Sequence, residues 1–204
     1  MAQTTRLDRI YTADRDEICD IYNDWADTYD KDLIQAGYAT PARVAEALAR
    51  FEADRTQPVL DFACGTGLSG AALSAEGFTL IDGCDISEGM LERARARGVY
   101  RYLRLIGPED APAPEDALPR HIVACGAISP GAAPPEALDR LLALLAPGGL
   151  LVLSLNDHAL ADPAYLGRIN DHLDCASVHL LMREEGAHIP AKDIGATIYV
   201  LQKA

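Results

Sequence analysis

Apolar residues in the first fifty positions recur at helical intervals. Ile18, Ile21, Tyr22, Trp25 and Tyr29 fall at i, i+3, i+4, i+7 and i+11, one stripe along a helix. A second helix is expected from Thr40-Pro41, a cap followed by proline in the first turn, with Val44, Leu48 and Phe51 turned inward. Beyond residue 57 the pattern changes to short apolar runs alternating with amphipathic stretches. P-V-L-D-F is a strand, and a glycine loop then leads into a helix ending at Gly77. F-T-L-I-D-G-C-D is the second strand, followed by a helix capped by Ser87 and stopped by Gly98. V-Y-R-Y-L-R-L-I and R-H-I-V-A-C-G are the third and fourth strands, and a helix spans about 134–146 before the fifth strand, L-L-V-L-S-L. After a helix near 163–174 come two further strands, S-V-H-L-L-M-R-E and A-T-I-Y-V-L-Q-K, close enough to pair antiparallel. Apolar strands alternating with helices give a doubly wound α/β fold, here a mixed sheet of seven strands, parallel but for the last hairpin. Residues 1–204 read as one domain, with 1–52 as a helical lid over the carboxyl edge of the sheet, where open α/β sheets bind ligands.

The stretch V-L-D-F-A-C-G-T-G-L-S-G at 59–70 ends in G-x-G-x-x-G, which suits a nicotinamide site or a site for another nucleotide. Asp85, twenty residues past Gly65 at the end of the second strand, suits a ribose and does not discriminate. Asp61 does. A carboxylate at the end of the first strand repels a pyrophosphate, whereas it attracts a cofactor carrying an ammonium and a sulfonium, as S-adenosylmethionine does.

Charge and cysteines narrow the partners. The net charge of −13 disfavours nucleic acid and anionic membranes. Arg93, Arg95, Arg97, Arg101 and Arg104 form the local exception and read as a solvated face. Five cysteines without a C-x-x-C pair, no apolar leader at the N-terminus and no membrane-length apolar run point to a cytoplasmic protein.

V-L-D-F-A-C-G-T-G followed by G-C-D-I-S-E-G-M-L resembles the nucleotide-binding half of class I S-adenosylmethionine-dependent methyltransferases, which have a Rossmann-like sheet. With Y-N-D-W-A-D-T-Y-D at 22–30, C-G-A-I-S at 125–129 and L-A-P-G-G-L at 145–150, the chain is similar to the group of the methyltransferase-like protein of the Williams–Beuren syndrome region and its bacterial relatives. The resemblance covers roughly 20–156. It implies S-adenosyl-L-methionine as cofactor. Asp61, Ala63, Cys64, Gly65 and Gly67 would then hold its methionine part, Asp85 its ribose, and Ile86 and Met90 its adenine. Cys125 and Gly126 would face the sulfonium, with Trp25 and Tyr29 closing over it. Two positions depart from the pattern. Ala63 replaces a glycine, which is tolerable if its φ is negative. The segment after the third strand is L-I-G-P-E-D, so Glu109 or Asp110 would have to meet the adenine amino group.

Methyl transfer needs alignment more than a dedicated base, so the absence of an obvious catalytic motif is expected. The fourth strand lacks the N-P-P-Y signature of amide and base methylation, and Cys125 lacks the Pro-Cys context of a nucleophile. Asn156, Asp157 and His158, after the fifth strand, are weak candidates for the acceptor side. The acceptor is a small molecule or a protein, with the small molecule preferred. Two other classes compete: a module that binds the cofactor without catalysis, and a nicotinamide oxidoreductase. The latter's Tyr199-x-x-x-Lys203 pair lies in a strand, about 13 Å apart at ~3.3 Å per residue, which is too far to act together. His172, Cys175 and His179 lack the paired spacing of a zinc site, so no metal is expected.

Overall fold

The computed structural model describes residues 9–10, 15–108, 110, 112 and 118–204. Helix α1 (Arg15–Gln35) and α2 (Thr40–Phe51) precede the alternating part. That part runs β1 (Val59–Phe62), α3 (Leu68–Ala75), β2 (Ile81–Asp85), α4 (Glu88–Arg97), β3 (Tyr102–Leu105), β4 (His121–Ala124), α5 (Ala137–Leu144) and β5 (Leu150–Asn156). Helices α6 (Asp157–Ala161) and α7 (Pro163–Asp174) then lead into β6 (Val178–Ile189) and β7 (Ile194–Lys203). The seven strands lie in the order β3-β2-β1-β4-β5-β7-β6. β1 pairs in parallel with both β2 and β4, while β7 is antiparallel to β5 and β6. The strand order therefore reverses between β1 and β4, which opens the ligand crevice at their carboxyl ends.

Alternation along β1 divides the core in two. Leu60 and Phe62 point into one apolar layer with Ile122, Leu141, Leu153 and Ile169. Val59 points into the other with Val44, Leu48, Leu73, Ile81 and Val200. α5 and α7 thus cover one face and α2 and α3 the other.

The capping chemistry read from Ser87 and Gly98 holds. Ser87 Oγ accepts from the Met90 amide, and Gly98 ends α4 in the left-handed region at φ 67°. Thr40 is different. Ala39 occupies the cap position of α2, and the fully buried Thr40 hydroxyl meets His188 Nδ1 at 2.7 Å instead. Phe51, expected inward, is 41% exposed because α2 ends on it, beyond the layer that covers Val44 and Leu48. Local periodicity cannot register where a helix outruns its sheet. The terminal hairpin is longer than its apolar runs, since β6 extends through the polar R-E-E-G-A-H as an edge strand.

The arginine cluster carries its own counter-ions. Arg93 pairs with Asp27, Arg95 with Glu88, Arg97 with Asp30 and Arg101 with Asp82. His172 spans Asp139 and Ser177 at 2.8 and 2.7 Å, which ties α5 to α7. No described helix is long and apolar enough to cross a membrane.

Candidate active site

The glycine loop leaves β1 through Ala63, and here one expectation is corrected. Ala63 has φ 52°, not a negative value, as do Gly65 at 54° and Gly67 at 86°. Three of five consecutive residues turn left-handed, and the alanine bears the steric cost of its Cβ. Ala63→Gly is therefore expected to stabilise the domain by about 0.5–1 kcal/mol, after allowance for the looser unfolded chain. Urea unfolding of the two proteins measures it, and a loss of stability would show that the turn is unstrained.

Three carboxylates converge on this loop. Asp85 Oδ2 accepts from the Gly65 amide at 2.8 Å while its Oδ1 accepts from the Ser87 amide at 2.9 Å. Asp30 on α1 accepts from the Thr66 hydroxyl and pairs with Arg97, whose Nε also donates to the Thr66 carbonyl. Asp61 lies beneath the loop, fully buried, with Oδ2 accepting from Ser69 at 2.7 Å and Tyr100 at 2.6 Å. Its Oδ1 is buried without a partner. Burial raises the Asp61 pKa to about 6 against the opposing hydrogen bonds from Tyr100 and Ser69. Burial also raises that of Asp85, opposed by the amides of Ser87 and Gly65.

Tyr100 is the unforeseen member. Its ring fills the space that the glycines vacate: a Cβ on Gly70 would meet its Cζ and Oη at 2.3 Å, and one on Gly67 its Cε2 at 2.9 Å. The last glycine of G-x-G-x-x-G thus makes room for a tyrosine that reaches Asp61.

Above the loop a cavity of about 1070 Å³, counted with its open mouth, runs along the strand ends. Of the residues singled out from sequence, Tyr29, Ala63, Gly65, Asp85, Ile86, Met90, Cys125 and Gly126 line it. Asp61, beneath the loop, and Cys64 and Gly67, within it, are not among the described lining residues, and Trp25 is turned away. The stripe on α1 divides. Ile18, Tyr22 and Tyr29 roof the cavity, whereas Ile21, Trp25 and Leu33 pack with Ile189 from the β6–β7 hairpin. The Trp25 indole donates to Asp32 at 2.8 Å, and its ring meets Tyr29 edge-on at 4.7 Å. Asn23 pins α1 to α4, its Oδ1 accepting from the Ser87 hydroxyl at 2.6 Å and the Gly89 amide at 3.1 Å. Both Asn23 and Asp30 stand inside Y-N-D-W-A-D-T-Y-D, so the motif contained them, but spacing gave no hint of their partners.

The far end of the cavity is lined by Ile106 to Pro108, Asp110 and Arg140, whose guanidinium donates to the Pro108 carbonyl at 2.8 Å. Asp110 accepts from the Gly107 amide at 2.7 Å. Glu109, the other expected adenine contact, lies outside the described residues. Asn156, Asp157 and His158 are not among the described lining residues. Asn156 caps α6 by accepting from the Ala159 amide, and Asp157 accepts from the Gly195 amide.

A doubly wound sheet with an acid-ringed glycine loop and an apolar cavity at its switch point is the frame of class I S-adenosylmethionine-dependent methyltransferases. The chain is 38% identical over 137 residues to human methyltransferase-like protein 27, covering 65% of this chain and 55% of that protein. It is 30% identical over 176 residues to trans-aconitate 2-methyltransferase of Methylobacterium radiotolerans, covering 76% and 66%. A Thiobacillus denitrificans S-adenosylmethionine-dependent methyltransferase, solved in complex with S-adenosyl-L-homocysteine, superposes with a TM-score of 0.56 at 12% identity, covering 79% of this chain and 91% of that one. The chain thus spans between about a third and two thirds of the length of the curated relatives it matches. Residues 35–193 match the model of the methyltransferase domain family, and the chain belongs to that family.

Proposed function

We propose that the domain transfers a methyl group from S-adenosylmethionine to a small-molecule acceptor. The observation that carries this reading is the ring of Asp30, Asp61 and Asp85 around the glycine loop. A loop that cradles a pyrophosphate keeps its amides free for anions. Here the Gly65 amide is spent on Asp85 and negative charge stands on both sides, which suits a cationic cofactor. The residues present fit that group. Asp85 retains acceptor lone pairs for ribose hydroxyls, Ile86 and Met90 offer apolar contact to the base, and Tyr29 presents an aromatic ring to a sulfonium. When bound, the cofactor supplies a methyl group already activated by positive sulfur, so the chain's own task is alignment and exclusion of water. The small-molecule acceptor is supported by the net charge of −13, which disfavours nucleic acid, and by the trans-aconitate named for one relative. The five cysteines are free thiols, which suits a reducing cytoplasm.

On the same reading, residues 1–52 are a cap in which α1 roofs the cavity through Ile18, Tyr22 and Tyr29, while α2 packs against the sheet. S-adenosylhomocysteine is expected to raise the melting temperature and to slow proteolytic cleavage between residues 18 and 38, while NAD and NADP do neither. A thermal shift with NAD would overturn the cofactor reading. Unchanged cleavage at saturating S-adenosylhomocysteine would reduce the cap to ordinary core.

A further inference from the structure

Along the far wall of the cavity the main-chain donors are already committed. The Ile106 amide donates to the Asp85 carbonyl at 3.0 Å, which also seats the loop after β3 beside the ribose end of the site. The Gly107 amide goes to Asp110 Oδ2 at 2.7 Å and the Asp110 amide to the Gly107 carbonyl at 3.1 Å. Pro108, Pro112 and Pro134 line the same cavity and have no N–H to give. On the α5 side, the amides of Ala132, Ala133 and Ala137 donate to the carbonyls of Ser129, Ala127 and Pro134 at 3.0, 2.9 and 3.0 Å. Among the described residues lining this end, the polar side chains are Asp110 and Arg140.

Arg140 is therefore the donor of this wall. Its Nη1 donates to the Pro108 carbonyl at 2.8 Å, which fixes the guanidinium against the loop that carries Asp110. A guanidinium has five N–H donors in a planar fork, so one bond to a carbonyl does not exhaust it. Asp110 accepts from Gly107 through one oxygen and has a second.

Adenine sets its amino group between two ring nitrogens, N1 and N7, so each polar edge shows a donor beside an acceptor. A base carried by a ribose at Asp85, resting on Ile86 and Met90, turns such an edge toward this wall. A carboxylate there answers the amino group, but the ring nitrogen needs a donor that the main chain does not supply. We propose that Arg140 reads the base of the cofactor, its guanidinium donating to the adenine ring nitrogen beside the amino group. The inference rests on the methyl-transfer reading above. The bond to Pro108 holds the fork in place beforehand, so less freedom is lost when the base arrives.

The test is calorimetric titration with S-adenosylhomocysteine and with its 1-deaza and 7-deaza analogues, each having a C–H in place of one ring nitrogen. Wild type, Arg140→Met and Arg140→Lys are compared. One analogue should bind the wild type about tenfold more weakly than S-adenosylhomocysteine does, which is the loss of a hydrogen bond from a charged donor. Arg140→Met should weaken S-adenosylhomocysteine by a similar factor and lose nothing further with that analogue, because the same bond is already missing. Arg140→Lys keeps a charged donor without the planar fork and should recover part of the loss. If Arg140 only supported the loop through Pro108, the substitution would weaken all three ligands equally. Such additive losses overturn the inference. So do two analogues that both bind the wild type as tightly as S-adenosylhomocysteine, a comparison that needs no variant to fold. Either result leaves the cofactor reading standing. If S-adenosylhomocysteine does not bind the wild type at all, the cofactor reading falls and the inference with it.

Discussion

Asp85→Ala is expected to weaken S-adenosylhomocysteine binding by about 1.5–3 kcal/mol, roughly ten- to a hundredfold, and to abolish most of the thermal shift. The carboxylate stands on the cavity wall at the end of β2, 7% exposed, where a ribose would meet it. It also fixes the amides of Gly65 and Ser87, so its removal releases the glycine loop and the start of α4 together. Two effects are therefore mixed, and Asp85→Asn separates them. The amide keeps one acceptor oxygen but loses the charge. It should retain more of the unliganded stability than alanine while still binding the ligand less well than wild type. Calorimetric titration with S-adenosylhomocysteine, alongside unfolding without ligand, measures both. Wild-type affinity in Asp85→Ala would remove Asp85 from the cofactor site.

The second large effect is expected at Gly70. A methyl there would meet the Tyr100 ring at 2.3 Å, far inside van der Waals contact. The ring is backed by Gly83, where a Cβ would stand 3.0 Å from it, so it has little room to retreat. Gly70→Ala should cost about 1–3 kcal/mol through overpacking. Moving the ring also disturbs the 2.6 Å bond from Tyr100 to Asp61, which helps keep that buried carboxylate ionised. In a Tyr100→Ala background the same glycine substitution should cost little, since the obstructing ring is gone. A double-mutant cycle by chemical denaturation reads the difference as coupling. Additive costs would mean that the glycine is needed for its backbone or for a ligand, and not for Tyr100.

Much of the architecture was legible along the chain because it depends on local periodicity. The switch from helical spacing at residues 18–29 to continuous apolar runs such as L-L-V-L-S-L marks strands buried on both faces, and their alternation with helices leaves few topologies. Ser87 and Gly98 fixed the ends of α4 through chemistry confined to one turn. Asp85 was legible for the same kind of reason, since the end of β2 and the end of β1 are neighbours in any such sheet. What stayed hidden is long-range. Tyr100 and Asp61 are 39 positions apart, Asn23 and Ser87 are 64 apart, and Tyr38 and Cys125 are 87 apart. No spacing rule links such pairs, because side-chain reach is decided by how the layers pack. Ala63 shows the boundary between the two. The chain by itself made the loop a glycine turn around an acidic strand end, but only the tertiary structure placed an alanine at φ 52°, since the path from β1 into α3 is set by the sheet and not by the residue that must follow it.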